Sequence, residues 1–307
     1  MTQDDTPVLT LADPAPGGSK PMRTRRRIQL VPFMQAAPLA LILCVFLLLP
    51  MGALLVVSFF DYDSVQIIPA FQFTNYAEVL GSAVTWRTYL NTLRFTAIVW
   101  AVTSVLGFTV AYVLAFEIRS RTTQMVLFLV CTVPFLTSNI IRMISWIPFL
   151  GREGLLNSTL LKLGLIQKPL EFLLFSDFAV VLAYTHLYAL FMVTPIFNTM
   201  MRIDRRLLEA ALDNGAGWWR TITTIVIPLS KSGIAIGSIF VVTMVMGDFV
   251  TVRLMSGGQS ASVGLMIANQ ISSLQYPAAC ANAVVLLAIV LMMIAAILRI
   301  VDIRKEL

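Results

Sequence analysis

Long apolar stretches alternate with short polar segments along this chain, and the length of the stretches is their most informative property. A helix that rises 1.5 Å per residue needs about 20 apolar residues to cross the hydrocarbon core of a bilayer. Stretches of about this length predict six membrane-spanning helices, at residues 36–60, 94–116, 125–149, 178–201, 233–252 and 279–300. Pro134 and Pro148 predict a kink in the third. The expected fold is therefore an all-α integral membrane domain over residues 36–307.

The composition excludes a soluble globular protein. Hydrophobic residues make up 58% of the 307 residues, charged residues 12%, and the mean hydropathy is +0.85. A soluble domain carries about 25% charged residues, because its surface faces water. The three cysteines, Cys44, Cys131 and Cys280, all lie in apolar stretches. We therefore expect ordinary thiols and no disulfide framework.

The first 35 residues differ from the rest of the chain. Residues 1–20 are rich in Thr, Asp, Pro and Gly without apolar periodicity, and a cluster of four arginines follows between Arg23 and Arg27. This pattern predicts a disordered, basic tail. The apolar stretch after it is too long for the core of a signal peptide and has no small-residue cleavage site, so it is interpreted as a membrane anchor.

The positive charges predict the orientation. With six spans, both termini lie on one side of the membrane. Fifteen Lys and Arg residues belong to that side, namely Lys20, Arg23, Arg25, Arg26, Arg27, Arg119, Arg121, Arg202, Arg205, Arg206, Arg220, Lys231, Arg299, Arg304 and Lys305. Six belong to the other, namely Arg87, Arg94, Arg152, Lys162, Lys168 and Arg253. Because cytoplasmic loops carry the excess of Lys and Arg, we expect both termini in the cytoplasm. The net charge of +6 is thus a topology signal and not a sign of nucleic-acid binding.

The loop at residues 202–231 is the longest on the predicted cytoplasmic side. Asp204 can cap a helix start, and apolar residues recur at helical spacing after it. Gly215 and Gly217 permit a sharp turn, and Pro228 is expected to end a second amphipathic piece. This pattern suits either a helix lying in the lipid headgroups or a rigid knob that docks into a partner's groove.

The residues of this loop resemble the EAA signature of the permease subunits of ABC-type importers. That signature has the form E-A-A-x-x-x-G, nine residues, then I-x-L-P. Here it is met by Glu209, Ala210, Ala211 and Gly215, and then by Ile225-Val226-Ile227-Pro228. The departure is Ile227, where the family usually has Leu.

Further segments resemble the spermidine/putrescine-type branch of this family. They are Gly151–Asn157 in an outer loop, Arg202-Ile203-Asp204 ahead of the signature, Gly247–Val250 at the fifth span and Tyr276-Pro277 before the sixth. The resemblance covers roughly residues 35–305. The sequence departs from it in the fourth span, where His186–Leu190 replaces a stretch bearing tyrosine and proline. This departure weakens the inference of the substrate from the resemblance.

The resemblance implies a division of labour between subunits. Residues 209–215 would form a coupling helix seated in a dimer of ATP-binding subunits, where Glu209 would meet a basic residue and both glycines would shape the turn. A second permease subunit, expected to be a different chain, would complete the path, and an extracytoplasmic binding protein would deliver the solute. This chain has no P-loop. It is therefore expected to be a non-catalytic inner-membrane subunit without a cofactor of its own.

Polyamines such as spermidine or putrescine are the first substrate that the resemblance implies. Related permeases with similar signatures handle ferric iron, thiamine or phosphonates, and these solutes remain alternatives.

Ionisable residues within the predicted spans are candidates for the substrate path, because such residues usually face the bundle interior or a watery cavity. Arg142 in the third span, His186 in the fourth and Asp248 in the fifth fall at similar depths. One interpretation is that Arg142 and Asp248 form a structural ion pair or sit at the membrane interface, with His186 in a polar contact between helices. The other is that Asp248, with Tyr188, His186 or Asn139, lines a passage for a cation.

Two other functional classes are less well supported by the sequence. A gradient-driven secondary transporter often shows an inverted repeat, and none is detected between residues 36–149 and 178–300. An intramembrane enzyme needs a cluster of catalytic groups or metal ligands, which a single histidine and scattered aspartates do not supply.

Overall fold

The computed structural model describes residues 30–63 and 67–301. The chain divides into two compact units, Met1–Pro50 and Met51–Leu307. Residues 1–29 of the predicted tail lie outside the described residues. Its last six residues belong to a helix that begins at Leu30.

Helices account for nearly all of the regular structure in the described part of the chain. In chain order they are α1 (Leu30–Leu43), α2 (Leu49–Val57), α3 (Thr74–Gly81), α4 (Ala83–Tyr112), α5 (Arg121–Thr132), α6 (Asn139–Leu150), α7 (Leu155–Lys162), α8 (Asp177–Met200), α9 (Arg205–Asp213), α10 (Trp218–Thr221), α11 (Ile227–Gly247), α12 (Val250–Met255), α13 (Val263–Ser272) and α14 (Tyr276–Ile300). A small antiparallel hairpin pairs β1 (Asp61–Tyr62) with β2 (Ile67–Ile68).

Shorter helical turns join several of these helices into longer rods. Among the described residues, the π-helical turn Cys44–Leu48 connects α1 to α2, Val113–Glu117 extends α4, and Ile222–Val226 connects α10 to α11. The same part of the chain has 3₁₀ turns at Val133–Leu136 and Glu171–Leu173. Whether a helix is long enough to cross a membrane therefore has to be judged from the full length of the joined helix.

Five joined helices of the described residues are long and apolar enough to cross a membrane: Ala37–Val57, Ala83–Glu117, Asp177–Met200, Trp218–Gly247 and Tyr276–Ile300. A sixth span is formed if the pair Arg121–Leu136 and Asn139–Lys162 counts as one, although its halves meet at 88°. The predicted all-α membrane fold is confirmed.

The boundaries of three predicted spans need correction. The second rod begins at Ala83 instead of residue 94, and the fifth begins at Trp218 instead of residue 233 and ends at Gly247 instead of residue 252. The sequence prediction used apolar length alone, so it missed the parts of these helices that carry polar residues. The third span is not merely kinked at its prolines. It breaks at Thr137 and Ser138, after Pro134 has entered a 3₁₀ turn, while Pro148 lies inside the continuous helix α6.

The core of the second unit is built where α4, α8 and α11 pack against one another. Met192 of α8 is fully buried between two glycines. A Cβ atom on Gly107 would lie 2.6 Å from Met192 Cγ, and one on Gly237 would lie 2.6 Å from Met192 Sδ. Small residues let membrane helices approach closely without a hydrophobic driving force, so these glycines set the spacing of the three helices.

One aspartate joins α4 and α8 to a loop. Asp177, the first residue of α8, forms an ion pair of 3.1 Å with Arg94 of α4 and accepts a hydrogen bond from the hydroxyl of Ser260. The loop after α12 is thereby held against the start of α8.

Candidate functional site

The segment between the fourth and fifth spans forms the helix α9, as its pattern predicts. Asp204 precedes this helix, and its side chain accepts a hydrogen bond of 3.0 Å from the backbone N–H of Arg206. This bond satisfies one of the donors that every helix start leaves free. The predicted cap is confirmed.

The turn after α9 requires one glycine and not two. The N–H of Gly215 bonds to the carbonyl of Leu212 at 2.8 Å, and the N–H of Ala216 bonds to the carbonyl of Ala211 at 2.9 Å. These are the paired bonds of a Schellman ending. Gly215 has φ +78°, a region that favours glycine, whereas Gly217 has φ −68° before α10. Only at position 215 does the backbone conformation favour glycine.

One side of α9 packs on the membrane domain and the other is free. Leu208 is half-buried against the core. Glu209 and Ala210 are exposed, and so are Leu207 and Leu212, which keep 49% and 58% of their surface accessible. A carboxylate among exposed apolar side chains suits a groove that offers both a cation and an apolar lining.

Pro228 does not end the second piece of the loop, and that prediction is wrong. The helix that starts at Trp218 continues to Gly247 through the π-helical turn. In this turn the N–H of Ile227 bonds to the carbonyl of Ile222, five residues back. The wider turn lies directly ahead of a residue that has no N–H to donate. Pro228 is thus placed in the first turn of α11, where proline is tolerated.

Asp248 lies where α11 ends and not within a helical span. Its carboxylate bridges the gap to the next helix, because Oδ1 accepts a hydrogen bond of 2.8 Å from the N–H of Thr251. Its Oδ2 accepts a hydrogen bond of 2.9 Å from the hydroxyl of Tyr188 on α8. The structure thus brings together two of the predicted path residues, with the carboxylate half-buried and the tyrosine buried.

Arg142 and Asp248 do not form the ion pair that one interpretation expected. Within the described residues, Arg142 donates one side-chain hydrogen bond, of 2.5 Å, to Asn139 Oδ1 one helical turn away. Its guanidinium carbon lies 4.9 Å from the centre of the Phe135 ring. The side chain is 8% exposed, and its Nε and Nη1 atoms are buried without a hydrogen-bond partner in that part of the chain.

His186 makes a polar contact between helices, as one interpretation predicted. Its Nδ1 accepts a hydrogen bond of 3.2 Å from the indole N–H of Trp146 on α6, and the two rings meet edge to face at 5.6 Å. The imidazole and Asn139 are both exposed. Of the predicted path residues, Tyr188 is hydrogen-bonded to Asp248 and Arg142 to Asn139, while His186 is hydrogen-bonded to Trp146.

A cavity of about 480 Å³ runs along α8 and α11. Its lining includes Phe135, Phe191, Phe240, Thr194, Asn198 and Arg202. Phe191 meets Phe135 edge to face at 5.3 Å and lies 6.1 Å from Phe240 and 6.3 Å from Tyr188. Phe191 thus connects the lining of this cavity to Tyr188, the tyrosine that donates to Asp248.

Sequence reasoning missed these aromatic residues, because phenylalanines in an apolar span look like lipid-facing side chains. A signal was nevertheless present. Tyr184, Tyr188 and Phe191 follow a spacing of four and three residues, which places them on one face of a helix. Tyr184 and Tyr188 stack at 5.7 Å.

In the described ranges, no three His, Cys, Asp or Glu side chains are grouped closely enough to hold a metal ion.

Comparison with known proteins places these features in a family. Residues 103–303 match the family model described as the binding-protein-dependent transport system inner membrane component. The chain is 32% identical over 226 residues to the spermidine/putrescine transport system permease protein PotB of Escherichia coli (strain K12), covering 73% of this chain and 81% of that protein. Identity to the PotB protein of Haemophilus influenzae is 30% over 229 residues, covering 73% and 78%.

The fold is also similar to that of a solved structure. A bacterial alginate ABC transporter, crystallised in complex with an alginate pentasaccharide-bound periplasmic protein, contains a chain with a TM-score of 0.72 and 18% identity. The match covers 87% of this chain and 92% of the other. At that identity the likeness concerns the fold alone.

Proposed function

This chain belongs to the family of binding-protein-dependent transport inner membrane components, and on that premise we propose that it carries a small organic cation of the polyamine class. It is a multi-pass, non-catalytic permease subunit of an ABC importer in the inner membrane. Such importers work with an ATPase and a substrate-binding protein.

The exposed side of α9 is the proposed docking surface for the ATPase. Glu209 and its apolar neighbours form a knob that fits a cleft in a dimer of ATP-binding subunits, with the Glu209 carboxylate against a basic residue. ATP binds to that partner and not to this chain. Closure of the ATPase dimer displaces α9 and turns the path from inward-facing to outward-facing. With α9 in the cytoplasm, six spans place both termini there.

The Asp248 carboxylate carries the proposal for a cationic substrate. It accepts a hydrogen bond from Tyr188, whose ring lies 6.3 Å from that of Phe191 in the lining of the cavity. A carboxylate attracts an ammonium group, and aromatic faces attract cations by about 0.5–2 kcal/mol each. The names of the PotB relatives support the same class of solute. Each end of a spermidine or putrescine molecule offers such an ammonium group.

The proposal includes two further partners. A second permease subunit, a different chain, supplies the other half of the path, and a binding protein delivers the solute at the outer face. The order of events is then delivery, passage along Asp248 and the aromatic cavity, and release on the side of α9.

Reconstitution of the complete importer tests the proposal. The complex that co-purifies with this chain is placed in proteoliposomes with ATP, and uptake of radiolabelled spermidine and putrescine is measured. We expect ATP-dependent uptake that Glu209→Lys abolishes, because the new ammonium group repels the basic partner residue. Glu153→Lys, at an exposed glutamate of the predicted outer loop, serves as the matched control and keeps uptake.

Two results would contradict parts of the proposal separately. ATP-driven uptake of ferric iron, thiamine or a phosphonate in place of polyamines would refute the substrate class. Unchanged assembly and uptake in Glu209→Lys would refute the docking of α9.

A further inference from the structure

The end of the second span leaves backbone carbonyls that need outside donors. Its last turn, Val113–Glu117, is π-helical, and the N–H of Ile118 bonds to the carbonyl of Val113 at 3.3 Å. The carbonyls of the final residues of a helix have no partner within the helix. Those of Ala115 and Ile118 belong to this group.

Arg205 and Gln124 both donate to these two carbonyls. Arg205 Nη2 lies 2.7 Å from the oxygen of Ala115 and 2.9 Å from that of Ile118. Gln124 Nε2, on α5, lies 3.2 Å and 2.8 Å from the same oxygens. The start of α9, the end of the second span and the start of the third are therefore joined at one point.

The contribution of Arg205 differs in kind from that of Gln124. A helix end carries partial negative charge, which favours a nearby cation, and hydrogen bonds from a charged donor are short and strong. The other side-chain hydrogen bonds of the segment from Asp204 to Asn214 are local to it in the described part of the chain. Arg205 thus provides the side-chain hydrogen bonds that connect α9 to another span.

We propose that Arg205 is a positioning residue that passes the displacement of α9 to the second and third spans. The chain itself joins α9 only to the fourth and fifth spans, through short links at residues 201–204 and 214–217. With Arg205 in place, a push on α9 moves four spans together. This inference rests on the proposed function, because it assumes that an ATPase displaces α9.

The coupling ratio, which is the solute taken up per ATP hydrolysed, tests the proposal in the reconstituted importer with spermidine as probe. In Arg205→Gln we expect the complex to assemble and hydrolyse ATP, while the ratio falls at least about fivefold, the lower end of ordinary coupling between sites. Arg205→Lys keeps a charged donor without the planar fork, so its ratio lies between the two. Arg299→Gln, at an exposed arginine near the end of α14, keeps the ratio of the unaltered protein.

A second measurement does not depend on the solute. Spin labels at Glu117→Cys and Asp213→Cys, both exposed positions, report the distance between the second span and α9 in a background without the native cysteines. In the unaltered complex the distance stays constant when ATP binds, because the two elements move together. In Arg205→Gln it changes.

A wild-type coupling ratio in Arg205→Gln, or a label distance that stays constant in that variant, overturns the proposal. If Arg205→Gln fails to assemble, a wild-type ratio in Arg205→Lys overturns it instead. If the proposed function is wrong, the result differs, because the unaltered complex then takes up no spermidine. The distance between the spin labels still tests the role of Arg205 in that case.

Discussion

The hydroxyl of Tyr188 donates a hydrogen bond of 2.9 Å to Asp248 Oδ2, which ties the fourth span to the point where α11 ends. The same carboxylate also caps α12 through the N–H of Thr251. An ammonium group that approaches Asp248 therefore competes with a weaker, neutral donor from Tyr188 and leaves the cap in place. The carboxylate can bind a cation without loss of the local fold.

Asp248→Asn is expected to lower polyamine uptake at least about tenfold, since a hydrogen bond to a charged group contributes about 1.5–3 kcal/mol. The amide oxygen can still accept from the N–H of Thr251, and the amide NH₂ can donate to the Tyr188 hydroxyl, so assembly and ATP hydrolysis persist. Uptake into proteoliposomes and the amount of co-purified ATPase are measured together. Glu171→Gln is the control, because its pair with Arg152 is long, at 3.9 Å, and highly exposed. Unchanged uptake in Asp248→Asn would remove Asp248 from the path.

The two glycines after α9 are expected to respond differently to alanine. Gly215→Ala places a side chain at φ +78°, a strain of about 1–2 kcal/mol, and the Schellman turn distorts. The amount of bound ATPase and the uptake rate both fall. Gly217→Ala leaves both unchanged, because φ is −68° and a Cβ there meets no atom within 4 Å. Equal effects of the two substitutions on bound ATPase and uptake would show that distortion of the turn at Gly215 is not their cause.

Gly233→Ala is expected to destabilise the bundle by about 1–3 kcal/mol, the usual cost of overpacking. A Cβ at this position would lie 2.5 Å from the carbonyl oxygen of Pro195 on α8, and backbone cannot move aside as a flexible side chain can. Thermal unfolding in detergent provides the measurement. Gly81→Ala, in helix α3 with no atom within 4 Å of its Cβ, is the matched control. A wild-type melting temperature for Gly233→Ala would contradict the close packing of α8 and α11.

Arg142→Met is expected to raise the stability of the purified protein by about 1 kcal/mol. A buried charged group with unsatisfied donors costs about 1–3 kcal/mol or more, and this gain exceeds the lost contact with the Phe135 ring, about 0.5–1 kcal/mol. The melting temperature in detergent rises accordingly. Arg152→Met, whose side chain is 73% exposed, leaves it unchanged. A fall in the melting temperature of Arg142→Met would mean that its guanidinium is satisfied in the assembled protein.

The sequence was sufficient for five spans, and for a sixth if the broken pair counts as one, because the apolar length needed to cross a bilayer is a property of each segment alone. It also placed the start of α9, since Asp204 caps through a neighbouring residue. Helix ends were harder to predict. Composition cannot show that a π-helical turn carries the fifth rod past Pro228, or that the third span breaks after Pro134.

Contacts between distant parts of the chain could not be predicted. Arg205 and the carbonyl of Ala115 are 90 residues apart, and Tyr188 and Asp248 are 60 residues apart. In both cases the packing of whole helices decides which residues meet. The sequence supplied Asp248 and Tyr188 as separate candidates. The structure supplied their contact, and within the described residues it shows that Arg142 bonds to Asn139 and not to Asp248.

The burial of Met192 between Gly107 and Gly237 constrains how this protein can evolve. Enlarging either glycine requires a smaller residue at position 192, and a smaller residue there leaves a void that only a larger neighbour fills. Each single step therefore passes through an overpacked or a hollow intermediate. Among homologues, positions 107, 192 and 237 should change as a set or stay as they are.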